Sequence, residues 1–137
     1  MSFRKQKPIK PEPIYSDLST NFSLNAMTGD VVRLTELDAV KRAIKNLIMT
    51  EKYERLLNPR FGAGINALLF EPMSPLTTIT MRDAIETSIT TYEPRAVLKT
   101  LDVVPDYNSQ TYYVDIVFSL RNTNQTGTVQ FFIDRIR

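Results

Sequence analysis

Apolar residues recur with two different periods along this chain, and the change from one to the other falls near residue 95. Leu37, Val40, Ile44, Leu47 and Ile48 stand at helical spacing, with Lys41, Arg42, Lys45 and Asn46 on the opposite face. That stripe predicts a helix over residues 36–49 with one side in a core. Thr35 and Asp38 precede it at capping-box spacing, with Asp in place of the usual Glu or Gln. A second helix is predicted from Ser74-Pro75, where proline takes its favoured first position, with Met81, Ile85, Ile89 and Tyr92 as its stripe. Threonines at 77, 78, 80, 87, 90 and 91 lower its propensity, so its stability must come from tertiary contact or from a partner.

From Ala96 onward the period is two. Val97, Leu101 and Val103 share a predicted strand face with Lys99, and Pro105-Asp106-Tyr107-Asn108 supplies turn residues. Tyr112, Val114, Ile116, Phe118 and Leu120 then alternate with Tyr113, Asp115, Val117 and Ser119, the pattern of an antiparallel strand covered on one face. After a turn over 122–127, a last strand over 128–136 directs Val129, Phe131 and Ile133 inward and Phe132 and Ile136 outward. Two readings of that outer face stay open: pairing with another chain at a sheet edge, or burial under the N-terminal segment. The expected fold class is α+β, two main helices packed on a small, mainly antiparallel sheet, with an extended N-terminal arm.

Residues 1–13 form that arm, basic through Arg4, Lys5, Lys7 and Lys10 and broken by three prolines; residues 14–137 form the domain. Its first anchors are Ile14 to Leu18, Phe22 and Leu24, followed by a turn at Thr28-Gly29-Asp30 and a short strand from Val31 to Leu34. Asn58-Pro59 and the glycines at 62 and 64 forbid a long helix over 50–64, so a structured loop is expected there, with Leu56, Leu57 and Phe61 as anchors. Gly62 and Gly64 read as tight-turn glycines, since no third glycine, following lysine or preceding strand makes a phosphate cradle. Residues 65–70 are short and apolar and cap the core.

Between the second helix and the first long strand lies Tyr92-Glu93-Pro94-Arg95. Proline turns the chain at Glu93, and an acid and a base flank the bend. They are either solvated surface charges or a preorganised pair able to grip another chain.

Composition narrows the chemistry. A chain of 137 residues, 42% hydrophobic and 23% charged, is long enough for a core, and its net charge of +2 selects neither nucleic acid nor a membrane surface. With no histidine and no cysteine, only an all-oxygen metal site remains, and no carboxylates have the spacing of a calcium loop; no cofactor or metal is expected. A two-carboxylate glycosidase would have to draw on Glu51, Glu54, Glu71 and Glu93, yet Glu51 and Glu54 sit among Lys52 and Arg55 as ordinary surface charge does. No apolar run is long enough to span a bilayer and no signal peptide is evident, which points to a soluble, intracellular protein.

Together these segments resemble the baseplate wedge family of contractile phage tails, which includes a baseplate subunit of type VI secretion systems. The resemblance covers most of residues 14–136. It is carried by Tyr15-Ser16-Asp17, Arg60-Phe61-Gly62, Leu69-Phe70-Glu71 with Pro75-Leu76, and above all Tyr92-Glu93-Pro94-Arg95. It implies a structural protein without catalysis in the virion tail baseplate, assembled in the host cytoplasm. The implied partners are the core bundle of neighbouring wedge proteins at Glu93, Pro94 and Arg95, tail sheath subunits at the strand edge bearing Phe132 and Ile136, and tube or hub proteins. Neither nucleic acid nor membrane is among them. On this reading Arg95 bridges to a partner, Glu93 orients it or meets a partner cation, and Arg95→Ala leaves the isolated fold intact. The alternative, suggested by the lysozyme-like label such proteins carry, is a peptidoglycan-degrading muramidase of the tail.

Overall fold

A computed structural model describes residues 15–18, 23–31 and 33–135. The arm over 1–13, the anchors Ile14 and Phe22, the side chain of Thr35, and Ile136 lie outside the described residues. The elements are β1 (Ser16–Leu18), β2 (Arg33–Thr35), α1 (Glu36–Met49), α2 (Asn66–Leu69), α3 (Pro75–Tyr92), β3 (Ala96–Asp106), β4 (Thr111–Leu120) and β5 (Thr126–Asp134). This is an α+β fold, with the helices gathered on one face of a three-stranded antiparallel meander ordered β3-β4-β5.

Both helices form where the apolar stripes predict them. Val40, Ile44, Leu47 and Ile48 of α1 are buried against Met81, Ile85 and Ile89 of α3 and the inner face of the sheet. Each such side chain contributes about 1.5–3 kcal/mol by leaving water. The start of α1 is tied to the N-terminal segment, because the Glu36 N–H donates to the Tyr15 carbonyl at 2.8 Å. Its neighbours β1 and β2 pair antiparallel, Ser16 opposite Thr35.

The threonine-rich α3 is held by its ends as well as its stripe. Ser74 caps it by accepting the Thr77 N–H at 3.1 Å, Pro75 follows at the first turn, and the Thr77 hydroxyl donates to the Pro72 carbonyl at 2.9 Å. Thr78, Thr80 and Thr90 turn their hydroxyls back onto carbonyls one turn earlier. Replacing Ser74 by alanine is expected to cost about 1 kcal/mol, measured as a lower midpoint of urea unfolding.

The sheet departs from the expected pattern in three places. A bulge between Leu98 and Thr100 shifts the β3 register, so Ala96 and Leu98, rather than Val97 and Lys99, share the inner face with Leu101 and Val103. The strand also runs through Pro105, opposite Tyr112, where a turn was expected; β3 is an edge strand, and an edge tolerates a residue with no N–H. Third, β5 begins at Thr126 and takes Gly127 into the ladder opposite Phe118. There a Cβ would crowd Leu37 of α1 at 2.8 Å, so glycine lets helix and sheet close together. The core strands match expectation: Tyr112, Val114, Ile116, Phe118 and Leu120, then Val129, Phe131 and Ile133, are buried.

Candidate interaction site

Pro94 forces the chain out of α3. Glu93, at φ −123° and ψ 73°, has left helical geometry, yet its N–H still reaches the Ile89 carbonyl at 2.9 Å. Two further backbone bonds fix the bend, Ala96 N–H to Glu93 O at 3.1 Å and Arg121 N–H to Arg95 O at 3.0 Å. Across this bend Arg95 donates through Nε to Glu93 Oε1 and through Nη2 to Oε2, each at 2.6 Å. The carboxylate is only 5% exposed, so the pair is no solvated surface charge. Both its oxygens accept from Arg95 within the chain, so Glu93 holds the guanidinium in one orientation. The bonds to Glu93, opposed by partial burial, hold the Arg95 guanidinium above its ordinary pKa, with Asp17 adding to the attraction. What the corner offers outward is exposed Pro94 and the open side of Arg95.

Three stretches far apart in sequence meet here. The Tyr15 ring lies 5.7 Å from the Arg95 guanidinium, which completes a stack of ring, cation and carboxylate. On the other flank the Tyr92 hydroxyl donates to the Arg60 carbonyl at 2.7 Å and its ring meets Phe61 at 5.2 Å, with Arg55 lying 4.0 Å over Phe61. Tyr15, expected among the N-terminal anchors, does pack against the core, whereas Leu18 and Leu24 are exposed; its contact with Arg95, eighty residues away in sequence, was not foreseen.

The 50–64 loop supports this corner. Gly62 and Gly64 have φ of +110° and +64° and serve tight turns, as the sequence indicates. Glu51 accepts the Asn66 N–H at 3.1 Å, and Glu54 accepts the Glu51 N–H at 2.9 Å, so both carboxylates hold backbone. The groove of about 560 Å³ between this loop and α3 is lined by a single carboxylate, Asp83. Leu56 and Leu57, expected as anchors, are fully exposed, while Phe61 packs against the core. Phe70 and Leu76 likewise point outward, and Leu69 alone of its motif is buried.

The second surface is β5. It closes the three-stranded sheet, and among the described residues no strand lies beyond it. Leu120 N–H donates to Gln125 O and Arg135 N–H to Gln110 O, which sets the alternation of the β4–β5 ladder. By that alternation residues 127, 129, 131 and 133 direct their backbone groups to β4, and Thr128, Gln130 and Phe132 direct theirs outward. Phe132 is 67% exposed on the outer face, edge-on to Tyr113 with centroids 5.2 Å apart. Tyr113 was visible in the sequence as an outward residue, but only the register places it beside Phe132.

Residues 35–125 match the family model described as baseplate wedge protein gp25. Baseplate wedge protein gp25 of Enterobacteria phage T4 is 35% identical over 107 residues, which cover 78% of this chain and 80% of that protein. Among solved structures, a Geobacter sulfurreducens protein named as a tail lysozyme aligns with a TM-score of 0.66 at 21% identity, over 72% of this chain and 89% of its own. A chain of the anti-feeding prophage baseplate aligns with a TM-score of 0.61 at 22% identity, over 90% and 87% respectively. At those identities the two structures establish a shared fold, whereas the sequence matches establish descent, and by them the chain belongs to the baseplate wedge protein gp25 family.

Proposed function

We propose that this baseplate wedge component works by shape and strand pairing and performs no catalysis. The corner at Pro94 and Arg95 seats against the helical core bundle of neighbouring wedge proteins, with Glu93 holding the guanidinium in place. The open edge of β5 accepts a strand from the tail sheath and so starts its polymerisation, with Phe132 as an apolar contact beside it. Such a protein resides in the tail baseplate, assembled in the host cytoplasm. The observation that carries the reading is the row of outward backbone donors and acceptors at Thr128, Gln130 and Phe132, left unpaired by any described strand. A muramidase is the poorer reading, because retaining and inverting glycosidases alike need two carboxylates facing one substrate. Here Glu51 and Glu54 are spent on backbone amides, and the groove between the 50–64 loop and α3 has Asp83 as its one carboxylate, Glu86 joining it only in the neighbouring hollow on the outer side of α3.

Thr128→Pro tests the proposal. It removes an outward N–H and no ladder bond to β4, so the purified variant should keep its circular dichroism spectrum and unfold within a few degrees of the parent. Baseplates carrying it should fail to nucleate sheath. Normal sheath on such baseplates would count against strand pairing, and peptidoglycan clearing in a zymogram that is lost in Glu51→Gln would favour the enzyme.

A further inference from the structure

The edge of β5 opens into a groove of about 590 Å³ whose other wall is α1. That wall is basic: Lys41 and Lys45 line it beside Asn46, with Asp38 at one end, and Thr128 and Gln130 form the strand side. Among the described residues the salt bridge is between Glu93 and Arg95, and no carboxylate lies within ion-pair distance of Lys41 or Lys45. In the sequence these lysines stand only as the helix face opposite the apolar stripe. The fold sets them instead beside an unpaired strand edge.

A strand added to β5 lies about 4.8 Å beyond it, and its side chains alternate between the helix-covered face and the open face. Those on the covered side run along the flank of α1. Lys41 and Lys45 are one helical turn apart, about 6 Å along the axis. Alternate residues of a strand are about 6.8 Å apart, so side chains at positions i and i+2 fall in step with the two ammonium groups. Side chains on the open face meet Phe132 instead.

We infer that the groove between α1 and β5 selects an extended segment carrying carboxylates at alternate positions, received by Lys41 and Lys45, with apolar residues between them on the open face. The inference rests on the proposal that β5 accepts a strand, and adds to it the chemistry of the strand accepted. Charge complementarity fixes which face of the incoming segment turns toward the helix. A slip of one residue would set apolar side chains against the lysines and carboxylates against Phe132, so the lysines also fix register.

The test uses the full chain and two fluorescein-labelled peptides, Val-Glu-Val-Glu-Val and Val-Lys-Val-Lys-Val, each between Gly-Ser ends, with binding followed by anisotropy at low and high salt. The glutamate peptide should bind at least about tenfold more tightly than the lysine peptide, and the difference should shrink with added salt. The double variant Lys41→Glu/Lys45→Glu should reverse the preference, and Thr128→Pro should abolish binding of both peptides. Equal binding of the two peptides that Thr128→Pro abolishes would overturn the charge inference and leave strand pairing standing. Glutamate-peptide binding that survives Thr128→Pro would overturn strand pairing and this inference with it. Failure of the glutamate peptide to bind, or its displacement by a short oligonucleotide of equal or better affinity, would also overturn it.

Discussion

Replacing Gly62 by alanine is expected to lower the unfolding free energy by about 2–4 kcal/mol, a large share of the stability of a domain this size. Gly62 has φ +110°, a conformation that a side chain strains, and the added Cβ would overlap the backbone carbonyl of Thr50. That oxygen belongs to the main chain, so no rotamer change relieves the overlap. Gly29 supplies the control. Its φ is +66°, and a Cβ there meets nothing within 4 Å, so Gly29→Ala should show the conformational cost alone, about 1 kcal/mol. Urea unfolding of the two variants at unchanged slope measures the difference. The consequence reaches the corner, because Gly62 follows Phe61, whose ring supports Tyr92.

Arg95→Ala should cost about 2–4 kcal/mol, contrary to the sequence-based expectation of an intact fold. The guanidinium satisfies both oxygens of a carboxylate that is 5% exposed, and alanine leaves that charge buried without a donor. Assembly lost in this variant would therefore not distinguish a missing partner contact from a weakened fold. The pair Glu93→Leu/Arg95→Met separates the two. With no buried charge left, its stability should return to within about 1 kcal/mol of the parent, since apolar replacements of buried ion pairs are often neutral. Baseplate assembly should stay impaired if Arg95 also touches the core bundle, and its recovery in the double variant would confine Arg95 to an internal role.

Much of the fold was legible because periodicity reports one-sided burial directly. The stripes of α1 and α3 and the alternation of β4 needed no tertiary information. What escaped was set by contacts distant in sequence. A bulge at Lys99 changes which residues of β3 face inward, and nothing local in Val97 to Lys99 announces it. Pro105 resembled a turn residue since proline removes a ladder donor, and only the strand order shows that it lies on an edge. Leu56 and Leu57 resembled anchors because exposed leucine pairs are uncommon, yet the turns held by Glu51, Glu54 and Gly62 aim them at solvent. At the corner, the spacing of Glu93 and Arg95 indicated a possible pair but not that the acid was buried. Nor did it indicate that Tyr15 completes the stack.

A reconstruction of the assembled baseplate containing this chain tests the central claim most directly. The account predicts a neighbouring strand hydrogen-bonded to β5 at Thr128, Gln130 and Phe132, and helical density against Pro94 and the open side of Arg95. A map in which β5 faces solvent along its length and nothing approaches the corner would contradict it.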